Sequence, residues 1–148
     1  MKALFAITII LFFAAPQFTY KNVQEKQAGS LLQLRMKLSA FGVESDDVPN
    51  IDVYIDFVKD SSFCEKSYYN PSKKGSVYTL SQKEKERILQ LLSMTAIETL
   101  TKTYTVPMTD QARSTMTIYT SKGVYEVDDY GLQGERPLQE LYDIVYKF

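Results

Sequence analysis

The sequence predicts an α+β fold, an antiparallel sheet with two main helices packed on one face. Three observations predict it. Segments 32–40 and 51–57 alternate apolar and polar residues with the period of a half-buried strand. Ser81 and Pro137 each open an apolar stripe at helical spacing. The whole order is strands, helix, hairpin, helix, with no internal repeat or second-domain linker.

Met1 and Lys2 precede an apolar run over 3–15 that ends at Pro16, the layout of an export signal. The run gives roughly 20 Å of helix against the roughly 30 Å of a bilayer core, so no stable membrane span is expected in the mature chain. A signal over 1–19 and a flexible, polar lead-in over 20–29 leave one domain over 30–148. Cleavage is expected between Ala15 and about Tyr20. The expected location is periplasmic or extracellular.

In the first strand, Leu32, Leu34, Met36, Leu38 and Ala40 share one face, and Gln33, Arg35, Lys37 and Ser39 fall on the other. A short helix is the competing reading, favoured by the Leu, Met and Lys content. Gly42, Asp46, Asp47 and Pro49 make 41–50 a loop. Ile51, Val53, Ile55 and Phe57 then face one way, and Asp52, Tyr54 and Asp56 the other. Segments 63–69 and 76–80 form a hairpin around Asn70, Pro71 and Gly75.

Ser81 and Glu84 make a capping box, in which hydroxyl and carboxylate each satisfy a free amide at a helix start. The helix has an inner stripe of Ile88, Leu91 and Leu92 and an outer face of Lys83, Lys85, Glu86 and Gln90. Thr95 and Glu98 repeat the box, which predicts a break near Met94 and a second helical turn carrying Ile97 and Leu100. Pro107, Thr109 and Asp110 mark a loop. Segments 114–120 and 124–128 flank Ser121-Lys122-Gly123 as a hairpin, with Gly123 expected at positive φ. Gly131 and Gly134 open the next loop, and Leu138, Leu141, Tyr142 and Val145 recur at helical spacing behind Pro137.

Composition narrows the chemistry. The chain has 148 residues, 17 Lys+Arg against 18 Asp+Glu, no His, no Trp and one Cys. Without histidine there is no Ser-His-Asp triad, Cys-His dyad or imidazole zinc site. Acid-base work would fall to carboxylate, Tyr or Lys groups with large pKa shifts. A net charge of −1 lacks the basic footprint of a nucleic-acid binder, so no nucleic acid is expected as a partner. Cys64 has no partner within the chain; it reads as a buried small hydrophobe, with an intermolecular bridge as the lesser reading.

The runs AFGVESDDVPNIDVYIDFVKD, YYNPSKKGSVYTLS and DDYGLQGERPLQELYDIVYKF resemble an uncharacterised family of small exported proteins from Bacteroidota, over about Ser39 to the end. The resemblance implies an exported α+β domain of unknown function. It carries no activity, cofactor or catalytic residue with it.

Asp46-Asp47, Asp52, Asp56 and Asp128-Asp129 are the acidic features, and none sits in the spaced Asp-x-Asp-x-Asp-Gly loop of a calcium site. No metal and no cofactor is expected. Asp52 and Asp56 lie roughly 13 Å apart along one strand face, wider than the roughly 5 to 9.5 Å of paired glycosidase carboxylates. Tyr54, Tyr68, Tyr69, Tyr78, Tyr119, Tyr125 and Tyr130 gather on strands and strand ends. Sheet packing accounts for such rings, and exposed ones on a rigid sheet also form recognition surfaces.

The residues singled out for binding are Asp52, Tyr54 and Asp56, opposite the core face, with Asp128 and Tyr130 at a strand end. The expected function is an exported, non-enzymatic domain that binds an unknown protein or envelope component. The alternative is a carboxylate-dependent hydrolase of glycan or peptide using Asp52, Asp56 or Asp128.

Overall fold

The computed structural model describes residues 30–40 and 48–147. The expected signal, the lead-in and Asp46-Asp47 lie outside the described residues. Seven strands form one sheet: β1 (Leu31–Ser39), β2 (Asn50–Asp56), β3 (Ser61–Ser67), β4 (Ser76–Tyr78), β5 (Thr103–Tyr104), β6 (Arg113–Thr120) and β7 (Gly123–Tyr130). Among the described residues two helices, α1 (Gln82–Met94) and α2 (Arg136–Tyr146), complete an α+β domain. The spatial order is β4-β3-β2-β1-β6-β7-β5, antiparallel except where β5 joins β7 in parallel. No helix among the described residues is long and apolar enough to cross a membrane.

The alternation sorts each strand as expected. Leu34, Met36, Leu38, Ile51, Val53, Ile55, Cys64, Met116 and Ile118 enter one core with Ile88, Leu91 and Leu92 of α1 and Leu138, Leu141, Tyr142 and Val145 of α2. Leu32 departs from the pattern. The register shifts between Leu31 and Gln33, and it is Leu31 that packs against the core.

Several local expectations need correction. β3 begins and ends two residues before the expected 63–69, set by its pairing with β2, and β4 is shorter than 76–80, because pairing between β3 and β4 reaches only Cys64–Lys66 against Ser76–Tyr78. Lys85, assigned to the outer face of α1, is 8% exposed. Its ammonium reaches the Asp60 carboxylate at 2.5 Å and the Asp60 carbonyl at 2.9 Å, which carries the stem inward. The first capping box forms: Glu84 accepts from the Ser81 amide at 2.7 Å, and Ser81 Oγ from the Glu84 amide at 3.3 Å.

The second box does not form. Thr95 Oγ1 donates back to the Leu91 carbonyl at 2.8 Å, and Ile97–Thr99 is a single 3-10 turn with no side-chain cap. Gly123 is not at positive φ. The Thr120 hydroxyl instead accepts from the Lys122 and Gly123 amides at 3.1 and 3.2 Å, so a side chain closes the turn assigned to glycine. Gly131 is the described glycine with φ in the left-handed region, at 92°, and a Cβ there would lie 2.5 Å from Val106.

Two polar pairs lie under α2. Asp129 is fully buried and accepts from the Gln133 and Gly134 amides at 2.7 Å each and from the Tyr142 hydroxyl at 2.8 Å. Ser114 and Tyr146 share a buried hydrogen bond of 2.6 Å, and the Tyr142 and Tyr146 rings stack at 5.6 Å. Burial pushes both phenols well up. Cys64 is sealed in the same core, and burial raises its thiol to about 11. A bridge from Cys64 to a second chain would require the sheet to open.

Candidate functional site

The helices pack on one side of the sheet, and among the described residues each strand's second set of residues forms an open face on the other. Register arranges that face in rows. One row reads Phe63, Tyr54, Arg35, Thr117 and Glu126 from β3 to β7. The adjacent row reads Glu65, Asp52, Lys37, Thr115 and Asp128. The row on the other side holds Gln33 and Tyr119.

A shallow depression of about 330 Å³ lies across the middle of these rows, lined by Arg35, Lys37, Asp52, Tyr54, Phe63, Thr115 and Thr117 around a floor of Met36 and Val53. Arg35 is its centre. The guanidinium carbon stands over the Tyr54 ring at 5.5 Å and the Tyr119 ring at 5.3 Å, a cation held between two aromatic faces. Lys37 lies 3.7 Å from the Asp52 carboxylate, with both side chains more than half exposed. The Phe63 ring beside Tyr54 is 47% exposed. A larger depression of about 520 Å³ borders β7 and the 3-10 turn, where Ile97, Leu100 and Val124 meet Glu98, Lys102 and Glu126.

The five residues singled out in the sequence separate into three situations. Asp52 and Tyr54 line the depression together, and Ile55 between Tyr54 and Asp56 is sealed in the core. Asp56 shares their face by register but is 3% exposed. Its carboxylate accepts from the amides of Val58 and Lys59 at 3.0 and 2.9 Å, and from the Tyr54 hydroxyl at 3.3 Å. The Lys59 amide chiefly holds Asp56 below the usual carboxylate range. Loss of water around the Tyr54 phenol, reinforced by the Asp56 charge, moves that phenol up. Asp56 is therefore a turn residue that also positions Tyr54.

Asp128 and Tyr130 stand on the same face near β6. Asp128 bonds Arg113 through both carboxylate oxygens, and that pairing keeps its pKa low. The Tyr130 hydroxyl accepts from the Gln111 amide at 3.2 Å. Three strand spacings, about 14 Å, separate β2 from β7, so Asp128 does not join Asp52 in one site. Among the described residues no three His, Cys, Asp or Glu side chains converge to hold a metal.

Arg35, Lys37, Phe63, Thr115 and Thr117 were not singled out from the sequence. Arg35 and Lys37 appeared there only as the polar beats of an alternation. The signal that marks them is two cations on the outward face of a strand that turns out to be central, and centrality comes from pairing with β6.

A family model described as a domain of unknown function, DUF6438, matches residues 46–148. The chain belongs to the DUF6438 family. Asp52, Tyr54, Phe63, Thr115 and Thr117 fall within the DUF6438 match, whereas Arg35 and Lys37 lie on β1, ahead of it. The strand that supplies both cations of the depression thus stands outside the matched span while occupying the centre of the sheet. No curated protein and no solved structure matches the chain.

Proposed function

We propose that the domain is an exported, non-enzymatic binding module whose ligand, part of a protein or envelope component, sits on the open face of the sheet. The observation that carries this reading is the depression itself, in which rings, cations and hydroxyls converge on strands whose other side is fixed by the core. Such a scaffold presents side chains without having to order them on binding. Export rests on the charged start and the apolar run over 3–15. Its check is the N-terminus of the mature protein, expected between Ala15 and about Tyr20.

The hydrolase alternative calls for a carboxyl group held protonated beside a second, ionised one. Asp56 and Asp128 are both shifted toward ionisation and both committed to structural partners, which favours binding over hydrolysis.

The test is a titration of the isotope-labelled mature protein with fractionated envelope material, followed by amide and ring resonances. Perturbations are expected at Arg35, Lys37, Tyr54, Phe63 and Thr117, and a Tyr54→Ala change should remove them. Perturbations confined to the helices, or none from any fraction, would refute the reading.

A further inference from the structure

We infer that the open-face depression is a subsite for an acidic sugar, with Arg35 gripping the sugar carboxylate. This rests on the binding reading above and names its ligand class. Of the four arginines, Arg87 and Arg136 bond Glu140 and Arg113 bonds Asp128. Arg35 has no carboxylate partner among the described residues; its neighbours are the rings of Tyr54 and Tyr119. A guanidinium is a planar fork of N–H donors that matches a carboxylate, and none of the carboxylates of the described residues takes up that of Arg35. The two rings flank the fork.

Charge selects among anions. Lys37 stands two residues along the same strand but is shared with Asp52 at 3.7 Å, so the side chains lining the depression sum to one positive charge, centred on Arg35, with Glu65 and Glu126 at the ends of the rows. That complements a single carboxylate better than a doubly charged phosphate monoester. The remaining groups suit a sugar ring. Phe63 presents an exposed apolar face for ring C–H groups, while Asp52, Thr115 and Thr117 can partner hydroxyls.

A peptide fits less well. β2, β1 and β6 are each paired on both sides, so the floor of the depression offers no free run of main-chain donors and acceptors to an extended chain. The volume of about 330 Å³ is at the small end for ligand sites, which suits a short stretch of glycan.

The experiment is calorimetric and NMR titration of the mature protein with trimers of galacturonate, glucuronate and mannuronate, beside maltotriose and triglutamate. At least one uronate trimer is expected to bind, to shift the Arg35 Nε–H and the Phe63 and Tyr54 ring signals, and to weaken with added salt. Arg35→Ala should lower that affinity about tenfold or more. Arg35→Lys should recover only part of it, because the charge returns without the fork. Unchanged melting of both variants shows that folding is not what was lost.

Maltotriose binding as tightly as the uronates would overturn the inference, as would triglutamate binding in their place or full affinity in Arg35→Ala. If envelope fractions perturb the open face and no uronate does, the ligand class falls and the binding reading stands. If neither perturbs it, both fall.

Discussion

On β7, Asp128 points to the open face and meets Arg113, while Asp129 points under α2 and accepts from two amides and the Tyr142 hydroxyl. The contrast extends to the two sides of the sheet. On the covered side, polar groups are few, and most are bonded within the protein, Asp129 to the 133–134 loop and Ser114 to Tyr146, with the buried Tyr104 hydroxyl as the exception. On the open side, polar groups are many and exposed, and Arg35 rests only on aromatic faces among the described residues. A buried polar group must be satisfied by the fold itself, whereas an exposed one can exchange water for a ligand.

The sharpest way to break this contrast is Asp129→Ala. It removes the acceptor from three donors, each costing about 1–3 kcal/mol when left buried and unpaired. A stability loss of about 3 kcal/mol or more is expected in urea unfolding, and a loss under about 1 kcal/mol would mean that water already serves these groups. Tyr146→Phe comes next. It removes the buried bond between the Tyr146 and Ser114 hydroxyls and should cost about 1–2 kcal/mol, read from the same transition.

A smaller effect belongs to Glu84 at the start of α1. The Lys147 ammonium 2.9 Å away, helped by Ser81, draws its pKa from 4.5 down to about 2. A lowered folded-state pKa stabilises the fold fully above about pH 4.5 and loses that contribution as pH falls toward about 2. Melting temperature should therefore fall over that acid range, and Glu84→Gln should flatten the fall. The smallest change is expected from Arg35→Ala, within about 0.5 kcal/mol of the parent. A larger loss would make Arg35 part of the fold's framework and not of a binding face.

The strands of the sheet's interior were legible because alternation with period two survives any error in their neighbours. Ile51, Val53 and Ile55 are buried as their spacing predicts, and Asp52 and Tyr54 face out. Pairing order was not legible. Nothing within 31–39 says that β1 lies between β2 and β6, and that placement turns Arg35 and Lys37 from surface charges into the centre of a depression. β5 escaped notice because two residues have no period. The role of Asp56 in its turn, the lost cap at Thr95 and the turn closed by Thr120 in place of a positive-φ Gly123 share one reason: these side chains bond nearby backbone groups, a local competition that hydropathy does not register.

The central position of β1 also governs when the protein can assemble. Its partner β6 follows roughly 80 residues later, so a ribosome must deliver most of the chain before the first strand finds its second neighbour. The β2–β3 and β6–β7 hairpins close early over short loops, but they remain two separate ribbons until β1 joins them like the middle slat of a blind. A nascent chain built this way stays unlatched until β6 has been made.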